Sequence, residues 1–374
     1  MKHCLFVVIL ALVAGCSETS NTAGDANSAK PGNRMPELVP APDQPDDTAA
    51  IAALESVGAE LKRNGDGNVV EVNLRATAAT DDTLKHVAAL KRVTSVLLND
   101  LPITDDGLAH LATTTSAIAN LDLRGCSIGN DGLAHLKDLT SLKALRLNGA
   151  SGLTAVDDGG LEHLAGLTNL KVLALDELWV SEAGLEPLDK LTLLEELYLK
   201  KTTISDDGLL LLSRYPKLKK LRLAFNQISN DGLAHLADIK TLEELDLSEN
   251  AQVTDAGLVH LSGLTKLKKL NLWRVAVSDS GVEQLAGLTD LEWLNLDNTQ
   301  LSDAGLPALK NMTKLTFLHV GSTTVSDAGL PMFEGLKTLK DLKVTRTAVT
   351  AAGVADLQVS LPKTDIQLLY IEGN

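Results

Sequence analysis

The stretch Leu291-Glu292-Trp293-Leu294-Asn295-Leu296, followed by Leu301-Ser302-Asp303-Ala304-Gly305-Leu306-Pro307-Ala308-Leu309, carries two hydrophobic periods in one short segment. Its first part alternates, which makes a short strand with Leu294 and Leu296 inward and Trp293, Asn295 and Asp297 outward. The second part steps by three and reads as a short helix. Ser302 and Asp303 mark its start, where an oxygen accepts an orphan amide and negative charge meets the helix dipole. Pro307 falls in the first turn, where proline is tolerated.

The same pattern recurs along the chain. Leu194, Leu218 and Leu242 each open the string LxxLxL at an interval of 24 residues. The register continues backward through Leu170, Leu142, Ile118 and Val93, and forward through Leu267, Leu291, Leu315 and Leu339. With a degenerate copy at Val72 and Leu74, about twelve repeats result. Intervals of 25 before Ile118 and Leu267, and of 28 before Leu170, are absorbed in loops, the largest insertion lying in 149–154.

A lone repeat cannot stand, because ordering its backbone costs more than its few inward aliphatics return. The repeats must stack. Strands stack about 4.8 Å apart and helices about 10 Å apart, so the strand side becomes the inner wall of an arc. The expected fold is an α/β solenoid, a curved horseshoe with a parallel sheet on the concave face and short helices on the convex face.

The strings LxxLxL and [IV][ST]DxGLxxL resemble those of leucine-rich repeat proteins over about residues 68–358. The tail of the motif, as in Val253-Thr254-Asp255-Ala256-Gly257-Leu258, is similar to repeats in F-box leucine-rich proteins and in exported bacterial proteins. The family's usual Asn or Cys after the strand appears only as Cys126, Asn226 and Asn250; Thr202, Thr299, Thr323 and Thr347 replace it in some copies and Ala150, Leu178 or Val275 in others. The internal side-chain ladder is therefore expected to be patchy. Open ends require caps. Thr48 to Arg63, with Ile51, Leu54, Val57 and Leu61 at helical spacing, reads as a capping helix that, with its turn, occupies 48–67. Residues 359–374 read as a terminal cap with a final strand from Asp365 to Ile371.

At the N-terminus, Leu5 to Val13 form an apolar run of nine residues behind Lys2 and His3, too short to span a bilayer and right for a leader covering 1–15. Val13-Ala14-Gly15-Cys16 resembles the lipobox of bacterial lipoproteins, which implies lipid attachment at Cys16. Ser17 in place of Asp implies the outer membrane by the sorting rules of that class. An ordinary leader would instead give a secreted or periplasmic product. Residues 16–47, rich in Ser, Asn, Gly and Pro, read as a disordered tether. The membrane is met only through the lipid.

A net charge of -15 argues against nucleic acid as a partner. Fifteen acids sit at helix starts, from Asp81 to Asp327, and are assigned to capping rather than to metal binding. Six histidines share one helix position but are spaced too widely to share an ion, and Cys126 reads as an inert buried thiol. GxxxxGK[ST], HExxH, GxSxG and paired CxxC are absent from the sequence, so no catalytic residue, metal or cofactor is assigned.

Outward strand residues are the informative set, because neither packing nor capping fixes their identity. Tyr198, Trp273, Trp293 and Phe317 are large side chains on that wall, four of ten aromatics in the chain. Trp293 and Phe317 are expected to touch across adjacent strands, with Asn271, Asn295 and His319 in the next column and Arg222 beside Tyr198, where it and Lys220 are placed to pair with an acidic or polar group on a ligand. The reading is a non-catalytic module that binds a protein partner on its concave face. The alternative is a glycan-binding module whose aromatics stack on sugars while Asn295 and His319 hold hydroxyls. An enzyme or F-box-like ligase adaptor is a weaker third, resting on repeat type alone.

Overall fold

The structure, a computed structural model, describes residues 45–369. The leader, Cys16 and nearly all of the tether, like the last residues of the C-terminal cap, lie outside the described residues. Among the described residues, fourteen strands form one sheet in strict chain order. They are β1 (Glu60–Arg63), β2 (Val69–Asn73), β3 (Ser95–Leu97), β4 (Asn120–Asp122), β5 (Ala144–Asn148), β6 (Val172–Asp176), β7 (Glu196–Tyr198), β8 (Lys220–Arg222), β9 (Glu244–Asp246), β10 (Lys269–Asn271), β11 (Trp293–Asn295), β12 (Phe317–His319), β13 (Asp341–Lys343) and β14 (Asp365–Gln367). From β2 onward each strand pairs parallel and in register with the next, as the period demands. Short α- or 3-10 turns return the chain from each strand to the next along the other side. The sheet is an open one, and the architecture is that of a leucine-rich repeat solenoid.

The inward residue of each strand and the leucines of the return turn fill one continuous core; Leu291, Leu294, Leu296, Leu301, Leu306 and Leu309 are all fully buried. Where proline follows the turn's leucine, the return shortens to a 3-10 turn, at Leu306–Leu309 and Leu330–Phe333. The proline nitrogen has no hydrogen for the carbonyl four residues back.

The N-terminal cap differs from the sequence expectation. The helix stops at Ser56, Gly58 turns the chain with φ +89°, and Leu61 lies on β1 instead of a helix. β1 runs antiparallel to β2 and covers the edge that an open array would expose. The folded unit also begins earlier than the tether boundary allows. Asp46 is buried and accepts the amides of Val69 (2.6 Å) and Lys91 (3.1 Å), while Asp47 caps the helix through Ala49 and Ala50.

The acids at the helix starts do more than face a dipole. The Asp206 carboxylate reaches across to the following repeat and accepts both the Ser229 amide, at 2.8 Å, and the Ser229 hydroxyl. Asp158 with Ser181, Asp255 with Ser278, Asp279 with Ser302, Asp303 with Ser326 and Asp327 with Thr350 repeat the clamp. Each serine hydroxyl then accepts an amide of its own helix, as Ser229 does from Asp231. The glycine of the DxG motif follows from this clamp. At Gly232 a Cβ would stand 2.0 Å from Asp206 Oδ1, and at Gly281 2.4 Å from Asp255 Oδ1.

The ladder after the strands is patchy, for a physical reason. Asn250 gives its amide to the carbonyls of Leu223 and Leu247 and accepts the Asn226 amide, so it ties two repeats together. Thr299 and Thr323 bond only within their own repeat, Thr299 to the Leu296 carbonyl and Thr323 to the Val320 carbonyl and the Val325 amide. Cys126 is buried against the Leu98 carbonyl, and burial pushes its thiol up to about 11.

Candidate binding surface

On the open face of the sheet, outward residues form columns at the strand spacing. In one column Glu196, Lys220, Glu244, Lys269, Trp293 and Phe317 stand in register. Charges alternate until the aromatics begin. Lys220 lies 3.2 Å from Glu196 and 3.3 Å from Glu244. Trp293 and Phe317 stack with ring centroids 4.8 Å apart and planes 6° apart. That separation is the inter-strand spacing itself, about 4.8 Å, so the parallel register imposes the stack. Lys269 covers the other side of Trp293 at 4.9 Å, and Lys343 stands 5.8 Å from the Phe317 ring. Both rings remain partly exposed, on the face opposite the buried Leu294 and Leu318.

The neighbouring column runs Tyr198, Arg222, Asp246, Asn271, Asn295 and His319. His319 sits edge-on to Phe317, with centroids 6.4 Å apart. Burial lowers its affinity for a proton below the ordinary histidine value; Asp297 pulls the other way and Lys343 adds to the lowering. Its Nε2 has no hydrogen-bond partner among the described residues and lies 3.7 Å from Asp297 Oδ1. Gly321 leaves a notch there. A Cβ on it would stand 2.7 Å from His319 Nε2, 2.8 Å from Thr345 Oγ1 and 2.9 Å from Asp297 Oδ1.

The sequence candidates therefore fall into separate groups. Trp293, Phe317 and His319 come together, with Asn271 and Asn295 beside them in register. Trp273 stands in a third column and is covered by its neighbour Arg274 at 5.3 Å. Tyr198 and Arg222 form a second cluster, in which Arg222 lies over the ring at 5.1 Å, pairs with Asp176 at 2.8 Å, and leaves the Tyr198 hydroxyl to donate to Glu196. Arg222 and Lys220 are thus already paired within the wall. Between the clusters lies a depression of about 260 Å³ lined by Tyr198, Arg222, Asp246, Lys269, Asn271 and Trp293. Lys269, Lys343 and Thr345 were not singled out from the sequence, and Asp297 was read only as an outward residue. The repeat register places Lys269 in the column of the aromatics, Lys343 in the next, and Asp297 and Thr345 in the one beyond.

The fold and the 24-residue period define a repeat solenoid whose inner wall carries a composite aromatic and polar surface. The chain carries leucine-rich repeats, and the Leucine Rich repeat family profile matches residues 216–237 and 239–262. An internalin from Listeria monocytogenes shares the fold with a TM-score of 0.61 and 21% identity, over 88% of this chain and 96% of that one. A TDR receptor does so with a TM-score of 0.53 and 18% identity, over 78% of this chain and 50% of that one. No curated protein matches the chain. Among the described residues no helix is long and apolar enough to cross a membrane.

Proposed function

We propose that this chain is an exported, lipid-anchored module that holds a protein partner on its concave face and performs no chemistry of its own. The observation that carries the reading is the Trp293–Phe317 stack: two large rings, partly exposed, on a wall where packing does not require them. Rigid aromatics beside a depression and unpaired polar groups are the usual anchors of an interface. Lys269, Lys343, Asn271, Asn295 and His319 frame them. The lipobox-like segment ending at Cys16 supports an address in the bacterial envelope, the outer membrane by its Ser17, with secretion or the periplasm as the other outcome.

A photo-crosslinking residue placed at Asn295 tests the reading. It is expected to trap a discrete partner, and the double variant Trp293→Ala, Phe317→Ala is expected to weaken that partner's binding about 30-fold, as for a central pair worth about 2 kcal/mol. Unchanged affinity in the folded double variant refutes it. The glycan reading of the same face is favoured by one observation, the polar notch around His319 Nε2, Thr345 and Asp297. It requires saccharide binding that is lost in the same double variant.

A further inference from the structure

A repeat array provides its own comparison, because each position recurs at an equivalent place in every copy. Residues that bridge to the preceding repeat just before each helix include Ser127, Ala155, Gln227, Gln252, Ala276 and Gln300. All are small or polar. At that position in the sixth strand's repeat stands Trp179, 78% exposed. A second column holds the residues with positive φ after the strands, among them Asp100, Glu177, Lys201, Glu249 and Asn298. There Phe225 intrudes, with φ 56° and 49% exposure. A bulky ring in the left-handed region is unfavourable and exposed rings gain little from packing, so the fold does not account for either residue.

Both rings line one depression, of about 760 Å³, on the edge of the solenoid where the strands end. Its size lies within the roughly 300–1,000 Å³ of small-ligand sites. One wall is the array's largest insertion, Gly149 to Gly152, so three departures from the repeat meet at this place. The charges around it are satisfied internally. Glu177 pairs with Lys201 at 3.1 Å and Lys200 at 3.7 Å, and Glu249 with Arg274 at 3.0 Å. Thr203 and Asn226 spend their side chains on carbonyls of Val180, Leu199 and Leu223. What remains is two flat apolar faces and the exposed side-chain amides of Gln227 and Gln252, which bond to nothing among the described residues.

We infer that this edge groove is a second binding site, separate from the concave face, and that it takes a neutral saccharide. A charged ligand would find no unpaired counter-charge. The C–H face of a sugar ring matches an exposed indole, and its hydroxyls match free amides, whereas a peptide strand would need open backbone groups at the sheet edge. The groove's strands are already paired on both sides.

The test probes the full chain against an array of neutral oligosaccharides and measures binding of each responder by calorimetry. Binding is expected for the native chain, with at least a tenfold loss in Trp179→Ala and in Phe225→Asn, and no loss in the concave double variant Trp293→Ala, Phe317→Ala. Asparagine accepts left-handed φ better than phenylalanine, so Phe225→Asn is expected to fold at least as well, by circular dichroism. The inference is overturned by any of four results: no saccharide bound, binding unchanged in Trp179→Ala, binding lost only in the concave double variant, or selection of an apolar peptide at the groove instead.

Discussion

The clamp between repeats makes a sharp claim about one glycine. In Gly232→Ala the new Cβ would lie 2.0 Å from Asp206 Oδ1, 2.7 Å from its Cγ and 3.2 Å from its Cα, so the carboxylate must swing away. It then releases the Ser229 amide and hydroxyl together. Hydrogen bonds to a charged group contribute about 1.5–3 kcal/mol each, and the lower end applies to these partly exposed residues, about 3 kcal/mol for the pair. Alanine returns about 1 kcal/mol through its better helix propensity. The net expectation is a loss of about 2 kcal/mol. Gly208 is the internal control: its preceding repeat offers Glu182, whose Cβ stands 3.8 Å away, and the nearest obstacle is an Ile204 methyl at 2.8 Å. Moving that methyl costs about 1 kcal/mol, which alanine's propensity offsets, so Gly208→Ala is expected to be near neutral. Urea unfolding followed by far-ultraviolet dichroism, at unchanged slope, reads both. In an Asp206→Ala background the penalty of Gly232→Ala should shrink below about 0.5 kcal/mol. Equal losses at Gly232 and Gly208, or an undiminished penalty in that background, would refute the account.

Lys219 and Lys171 hydrogen-bond Glu195 and hold its carboxyl down to about 2 from 4.5. The folded value is depressed, so the stabilisation is complete above about pH 4.5 and is lost as pH falls toward 2; Glu195→Gln should flatten that part of the acid unfolding curve. Asn250→Ala is expected to cost about 2–3 kcal/mol, because it strands buried backbone groups in two repeats, against about 1 kcal/mol for Thr299→Ala, which serves one; equal losses in urea unfolding would count against the bridging role. Trp293→Glu continues the alternation Glu196, Lys220, Glu244, Lys269 and gives Lys269 an ionic partner. It forfeits a ring stack of about 0.5–1.5 kcal/mol, so stability should fall by about 1 kcal/mol while partner capture falls far more. Comparable losses in both would reduce the stack to sheet packing.

The period of 24 made the strands, their parallel register and the open face legible from leucines alone, because core positions tolerate so few residue types. Trp293 and Phe317 were legible for the same reason: alternation from Leu294 fixes which side they take. The N-terminal cap was misread at Leu61 because a single pass of the chain offers no period to test against, and an apolar residue three or four places on serves a helix or a returning strand equally well. The helix-start acids were misassigned in part. Sequence places Asp206 beside its own helix, and only stacking reveals that its carboxylate points at Ser229 of the next copy. The pairing of Arg222 with Asp176 was invisible for a related reason, since the partners lie two repeats apart and meet only across the sheet.

These misreadings share a cause with the edge groove. Contacts within a repeat follow local periodicity, whereas those between repeats follow the columns, and the columns become readable only once the register of every strand is fixed. With the register in place, two kinds of residue separate. Asp206, Ser229, Gly232 and Asn250 hold to their column's chemistry or bond to their neighbours, and stacking accounts for them. Trp179 and Phe225 break their columns and expose their rings without an aromatic partner among the described residues, while Trp293 and Phe317 break theirs and stack with one another. An exposed ring, in a conformation or exposure its column avoids, needs an explanation outside the fold. The concave pair has a partial one in its own stack. The edge pair has none, and its rings therefore call for a ligand at the groove more strongly than the stacked pair does on the wall.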